Sequence, residues 1–341
     1  AYEQLNGGYG TDMTTALAEN SYGQQYQYTK DLKEPENITG GYLIELNHDM
    51  WDEASGFKTR QGVAFNVKSP EWCGDSAMKY ISEYYQAFED AVYATDDTGA
   101  YTGYNTGTGK YFYDYVDMAS LVKVFLLQEL ALNCDGFISS VYFYKDADGI
   151  MYAGPIWDQD MTFGTGWNKT NGAEIVDYHY LAQALIQIPA FKDAVVEYYN
   201  SEFAPAVRRW LGEDGVISRQ YALLKNSAAM NYTLWDYIRI GNPENEGHIW
   251  QGASYQSVVD EMTTWIENRL ANMDSRFNLQ STVAGDVNGD GEVNSDDAVC
   301  ILRYLAGYDV DVKIENGDVN GDDTVNSDDA VCILRNLAGL D

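Results

Sequence analysis

Near its end the 341-residue chain carries GDVNGDGEVNSDDAVCILRYLAGYD and then GDVNGDDTVNSDDAVCILRNLAGLD, almost the same string twice. Each copy reads D-x-N-x-D-x-x-x-N-x-x-D, starting at Asp286 and Asp318. Oxygen ligands at positions 1, 3, 5 and 12, with a main-chain carbonyl at position 7, are what a hard cation such as calcium asks of a tightly wound loop. The spacing nominates Asp286, Asn288, Asp290, the carbonyl of Glu292 and Asp297 in the first copy, Asp297 giving both oxygens. In the second it nominates Asp318, Asn320, Asp322, the carbonyl of Thr324 and Asp329. Ordinary solvated acidic loops are the other reading, and they would need two complete ligand sets to fall in register by chance.

These loops differ from the standard EF-hand loop in ending on Asp rather than Glu. A shorter final ligand must bring its backbone closer, so the expected unit is a loop followed by a helix, with no regular helix before it. Gly291 occupies the sharp turn of the first loop, whereas Asp323 stands there in the second and should weaken that site. Each following helix starts near Ser295 or Ser327 and stops at Gly307 or Gly339. At helical spacing Ala298, Ile301, Leu302 and Leu305 share a face, expected to pack against Ala330, Ile333, Leu334 and Leu337. The opposite face would then expose Val299, Cys300 and Arg303, repeated as Val331, Cys332 and Arg335, a surface fit for a protein partner.

A second kind of chemistry is suggested by two aspartates upstream. Asp135 follows an apolar helical pattern over Asp117–Leu132, and Asp158 follows SVYFYKDADGIMYAGPIW, which reads as a hairpin turning at Asp148 and Gly149. A hairpin between them returns the chain close to its start. This is also the layout in protein kinases of the aspartate that handles the acceptor hydroxyl and the one that holds the metal on the phosphates. Spacing alone is weak evidence in a chain with 53 acidic residues. Asp160 either assists the metal or caps the next turn.

The elements that must position these groups are legible in outline. GGYLIELN and GVAFNVKSP alternate as strands, a helix is expected over Asp75–Tyr93, and helical stripes recur at Leu181–Ile188, Ala194–Leu211 and Val258–Leu270. The fold class is therefore α+β, helix-rich toward the C-terminal side of the large region. A net charge of −32 disfavours nucleic acid and anionic membranes as partners and favours metal cations. No apolar run reaches the ~20 residues of a membrane span. Cys73, Cys134, Cys300 and Cys332 show no framework spacing and read as free thiols. The opening AYEQLNGGYG lacks the look of a signal peptide, leaving a mature product, a fragment or a cytosolic chain as the expectations.

With both loops and both helices in view, the last ~57 residues resemble a type I dockerin, the calcium-dependent module that binds cohesin modules of cellulosome scaffoldins. The resemblance implies two Ca2+ ions and a secreted, extracellular, cellulosome-associated protein of a fibre-degrading anaerobe. It also implies cohesin contacts through Ser295, Asp296, Val299, Cys300 and Arg303, and through Ser327, Asp328, Val331, Cys332 and Arg335, with either copy able to face the partner.

The large region is similar to the CotH kinase family on GGYLIEL, the pattern of Phe57–Pro70, the block Gln128–Gly164 and PAFKDAVVEYY. That resemblance covers mainly 38–275. It implies a diverged protein-kinase-like fold, ATP with Mg2+ or Mn2+, a secreted protein substrate, Asp135 as catalytic aspartate and Asp158 as metal-binding aspartate. The family's further N-terminal nucleotide-binding segment is expected to be missing, and Lys68 is the one nearby basic residue in a matched motif. The expected organisation is a CotH-like domain at 1–277, a linker at 278–284 and a dockerin at 285–341. Two alternatives stand beside kinase activity: a non-catalytic structural or adhesion module, and a carbohydrate-active hydrolase, for which no G-x-S-x-G elbow or further carboxylate pair stands out.

Overall fold

The computed structural model describes residues 6, 13–50, 52–133, 136, 139–164, 173–175, 180–235, 254–277, 284–289, 292–308, 310, 312–322 and 324–340. It divides into two compact units, Ala1–Arg276 and Phe277–Asp341.

The first unit is built on a seven-stranded antiparallel sheet. Its strands are β1 (Thr15–Glu19), β2 (Gln25–Thr29), β3 (Tyr42–Asn47), β4 (Gly56–Lys58), β5 (Ala64–Ser69), β8 (Val141–Lys145) and β9 (Met151–Ala153), in the order β1-β2-β4-β5-β3-β8-β9. A small hairpin of β6 (Tyr104–Asn105) and β7 (Lys110–Tyr111) stands apart. Alternation along β3, β5 and β8 puts Ile44, Leu46, Phe65, Val67, Val141 and Phe143 on one face, all buried. Helix α1 (Asp75–Val92) covers that face, and its Tyr85 meets Phe65 at 4.3 Å and Phe143 at 5.7 Å between ring centroids. The first turn of α1 has no side-chain cap from Gly74; instead the Glu34 carboxylate accepts the N–H groups of Ser76 (3.2 Å) and Ala77 (2.8 Å). A Cβ at Gly74 would lie 2.6 Å from the Glu34 side chain, so a larger residue there would push on this cap.

Strands β1, β2 and β4 were not foreseen as strands. They are short, β1 (TALAE) and β4 (GFK) hold few residues that favour strands, and β2 joins β4 only across about thirty residues of chain.

Helix α2 (Met118–Ala131) starts at Asp117, whose carboxylate accepts the Ser120 N–H, and buries Leu121, Val122, Val124, Phe125, Leu126 and Leu130. It ends at Leu132 in the left-handed region (φ 45°). The β8–β9 hairpin turns through Asp148 (φ 58°), whose carboxylate accepts bonds from Asn37 and Thr39. Lys145 of that hairpin is buried, with its ammonium 4.7 Å from the Tyr84 ring centroid and donating to the Thr39 carbonyl.

The C-terminal part of the unit is helical: α3 (Tyr180–Leu185), α4 (Pro189–Tyr198), a π-helical turn (Tyr199–Phe203), α5 (Ala204–Leu211), α6 (Val216–Leu234) and α7 (Tyr255–Phe277). A fully buried ion pair, Arg269 to Glu129 at 2.9 Å, joins α7 to α2.

In the second unit, α8 (Ser295–Leu305) and α9 (Ser327–Leu337) pack together, with a 3-10 turn Ile314–Asn316 between them. The core consists of Val287, Ala298, Ile301, Ala330 and Ile333, with Val293, Cys300, Val312, Val319 and Val325 packed around it. Two expectations are corrected. Leu302, Leu305, Leu334 and Leu337 are about half exposed rather than interior, and Cys300 packs on the core instead of facing out. Two short helices bury only a narrow stripe at each crossing, so the apolar face seen in the sequence is wider than the contact it makes.

Candidate functional site

The repeat forms two matching loop–helix units. Asn294 and Asn326 are the helix N-caps, each side chain accepting an N–H two residues on, which places Ser295 and Ser327 at the first helical position. Asp297 is fully buried. Its Oδ1 accepts the amides of Val287 (2.8 Å) and Asn288 (3.0 Å), and its Oδ2 accepts that of Asn294 (2.8 Å). Asp329 repeats the pattern with Val319, Asn320 and Asn326. A carboxylate has about four lone-pair sites, so the three amide bonds made among the described residues leave one, on Oδ2. Both aspartates can therefore give a cation one oxygen without releasing an amide, whereas the two-oxygen ligation expected from sequence would displace one.

Asp286 and Asp318 close the loops from the other end, their Oδ1 atoms accepting Gly289 N–H and Gly321 N–H at 2.8 Å. Both glycines are in the left-handed region, at φ 75° and 74°. Asp322 accepts bonds from Thr324 N–H and hydroxyl, and these hold its carboxyl below the usual range. Asp290, Gly291 and Asp323 lie outside the described residues. The donor set is all oxygen and largely carboxylate, which fits a hard cation, with Asp286, Asn288, Asp297 and the Glu292 carbonyl, and their second-copy equivalents, able to hold it. Among the described residues no three His, Cys, Asp or Glu side chains converge on one point.

Around these loops, Ser295, Asp296, Val299 and Arg303 are exposed, as are Ser327, Asp328, Val331 and Arg335. Leu302 and Leu334, which were assigned to the interior, join that surface. Cys300 and Cys332 are only partly exposed.

In the first unit, Asp158 stands just beyond β9, exposed and with positive φ (56°), a conformation that non-glycine residues hold only at some cost. The Ser140 hydroxyl donates to its Oδ2 at 3.1 Å. Beside it Trp157 is 60% exposed and meets Tyr142 edge-on at 6.4 Å. Asp160 is exposed at the next turn. Asp135 lies outside the described residues. Its neighbour Gly136 sits against α2, where a Cβ would come within 3.1 Å of Gln128 Oε1.

The sheet face away from α1 carries polar groups that the sequence reading passed over. Glu45 on β3 lies opposite both Asn66 on β5 and Tyr142 on β8. The Tyr142 hydroxyl donates to Glu45 Oε1 at 2.8 Å, and Lys68 approaches Glu45 Oε2 at 3.4 Å while bonding to Glu53. The β3–β5 register shifts between Leu43 and Ile44, which leaves Lys68 as an extra residue on β5 and re-aims its side chain toward Glu45. The Glu53 contact leads in holding the Lys68 ammonium above its ordinary range. Burial, the Glu45 bond and then the charges of Glu45, Asp158 and Glu53 push the Tyr142 phenol upward. Asp158 is thus within electrostatic reach of this cluster. One signal was available: Glu45 is the sole charge in the otherwise apolar GGYLIEL strand.

No curated protein and no solved structure matches the chain. Family comparison matches the type I dockerin domain at residues 284–338 and CotH kinase protein at residues 19–273, the latter beginning earlier than the resemblance read from sequence. A type I dockerin implies calcium and a cohesin partner. Three-quarters of its length lying within the CotH match, the chain belongs to the CotH kinase protein family and carries a type I dockerin domain behind it.

Proposed function

We propose that this protein is an extracellular component of a cellulosome-like assembly, anchored by its dockerin to a cohesin module of a scaffoldin, whose CotH domain transfers phosphate from ATP to a secreted protein. The observation that carries the enzymatic half is the placement of Asp158. It sits strained and exposed at the end of the β8–β9 hairpin, beside a sheet face on which the Lys68 ammonium is gripped by Glu45 and Glu53. A sheet leading through β5 into a long helix, a second buried helix and a hairpin between the two aspartates is in keeping with a diverged kinase-like fold.

ATP with Mg2+ or Mn2+ would supply the phosphoryl group and neutralise its charge when bound. The residues present suit such a group. Asp158 offers an exposed carboxylate oxygen to the metal, with Asp160 two residues on. Lys68 offers a fixed positive charge to phosphate oxygens, and Asp135 would take the proton from the acceptor hydroxyl. In the dockerin, each loop would hold one calcium ion. Ser295, Asp296, Val299, Arg303 and their copies would contact the cohesin, with Leu302 and Leu334 adding apolar area.

The test is incubation of the full chain with γ-labelled ATP, Mg2+ or Mn2+ and secreted proteins from the same source. Wild type should incorporate label, and Asp158→Ala should lose it by at least 100-fold while still folding. Absence of label from wild type under both metals would overturn the kinase reading. A non-catalytic scaffold is the second reading, favoured by the engagement of Lys68 with two carboxylates. In that case Asp158→Ala and wild type would be alike in every assay.

A further inference from the structure

The two calcium loops are near copies, yet among the described residues only one has a cation of the protein's own laid against it. Lys313 precedes the 3-10 turn Ile314–Asn316, and its backbone N–H donates to the Val287 carbonyl at 2.8 Å, which ties this connection to the first loop. Asn316 adds a second tie through its side-chain amide to the Asp286 carbonyl at 2.7 Å. The Lys313 side chain then runs across Gly289, where a Cβ would lie 2.6 Å from its Cε and 2.8 Å from its Nζ. Gly289 is the residue whose N–H is held by Asp286, the first ligand of the loop. The ammonium is buried and has no hydrogen-bond partner among the described residues. At the matching position of the second loop, Gly321 has the same backbone and the same bond to Asp318, but a Cβ there would meet nothing within 4 Å.

The asymmetry has an electrostatic consequence. One residue and one hydrogen bond separate the ammonium from the Asp286 carboxylate, so it lies within about a Debye length of the loop's ligands (~8 to 10 Å at physiological salt). Before an ion enters, this charge offsets the repulsion among the loop's carboxylates. Once a doubly positive ion enters, the same charge opposes it, and burial weakens the screening that water would provide. Among the described residues, no such group lies against Gly321 of the second loop.

The geometry points to Lys313 as an internal counter-cation that makes the first calcium loop the weaker and later-filled of the two. The inference rests on the calcium reading of the repeat, and it runs against the effect of Asp323, which acts on the other loop. Its test isolates each loop in the full chain by calcium titration calorimetry, using Asp318→Ala to leave the first loop and Asp286→Ala to leave the second. In the Asp318→Ala background, Lys313→Met should tighten calcium binding roughly 3- to 10-fold, an effect that shrinks toward 1 M salt. Lys313→Arg, which keeps the charge, should leave the affinity near its starting value, and in the Asp286→Ala background Lys313→Met should change nothing. Unchanged or weaker binding by the first loop on Lys313→Met would overturn the inference, as would an equal gain in both loops. Absence of calcium binding in both single-loop backgrounds and in the unmodified chain would instead overturn the calcium reading, and this inference with it.

Discussion

Glu89 is the residue whose titration should be visible in the stability of the first unit. It lies on α1 and is almost wholly buried; its Oε2 accepts a bond from Gln86 at 2.9 Å, and the influence of Thr59 and the Gln61 backbone only partly offsets that burial. Burial pushes its carboxyl up to about 7. A carboxyl with a raised folded-state pKa binds protons more tightly when folded, so its favourable contribution is complete below pH ~4 and is lost as pH rises through 7. The unit should lose about 2–3 kcal/mol between pH 4.5 and 8 from this group. Glu89→Gln should remove that slope, raising the thermal midpoint at pH 8 while leaving it nearly unchanged at pH 4.5. Parallel melting curves for the two proteins at every pH would refute the assignment. Sequence could not single out Glu89 among so many acids, because burial of one face of α1 is decided by the sheet beneath it. The ligands of the calcium loops were legible for the opposite reason: their meaning lies in local spacing.

At the scale of elements, the joint that matters most to the candidate site is the one between α2 and α7. Arg269 donates through Nε to the Glu129 carbonyl and through an η-nitrogen to the Glu129 carboxylate at 2.9 Å, and Arg276 bonds the same carboxylate. Glu129 Oε2 also accepts the Ile175 N–H, so one side chain gathers three parts of the chain just before the segment holding Asp135. Removing one partner of a buried pair strands the other's charge. Arg269→Met should therefore cost about 3 kcal/mol or more in urea unfolding, with Arg276 limiting the loss, and Glu129→Gln combined with Arg269→Met should recover part of it. A cost below about 1 kcal/mol would show that Arg276 alone carries the joint. The helices on both sides were legible from apolar periodicity, and so was the β8–β9 hairpin from its Asp-Gly turn. The pairing of Glu129 with a residue so distant was not, and neither were β1, β2 and β4. A long-range partner decides the Glu129 contact, whereas β1 and β4 form short hairpins from residues with little strand preference.

For the molecule as a whole, the two units should answer to calcium separately, because each has its own core. That of the dockerin is five fully buried side chains, among them two alanines, too little to offset the ~1.5 kcal/mol per residue lost in ordering a unit of this size. Acidic loops add to the difficulty when no cation is present, since Asp286, Asp297 and Asp329 are buried carboxylates. A calcium ion held a thousandfold above its dissociation constant contributes ~4 kcal/mol per site, comparable to the whole stability of a small domain. Chelation should thus unfold residues 284–340, make them open to protease and abolish cohesin binding, while the transition of the first unit stays within about 1 °C of its calcium-loaded value. Calorimetric scans with calcium and with EGTA would show two transitions in the first case and only the first-unit transition in the second. A dockerin transition that ignores EGTA would mean that the loops are held by their own amide bonds to Asp297 and Asp329, and that calcium has a smaller part in this fold than its ligand spacing implies.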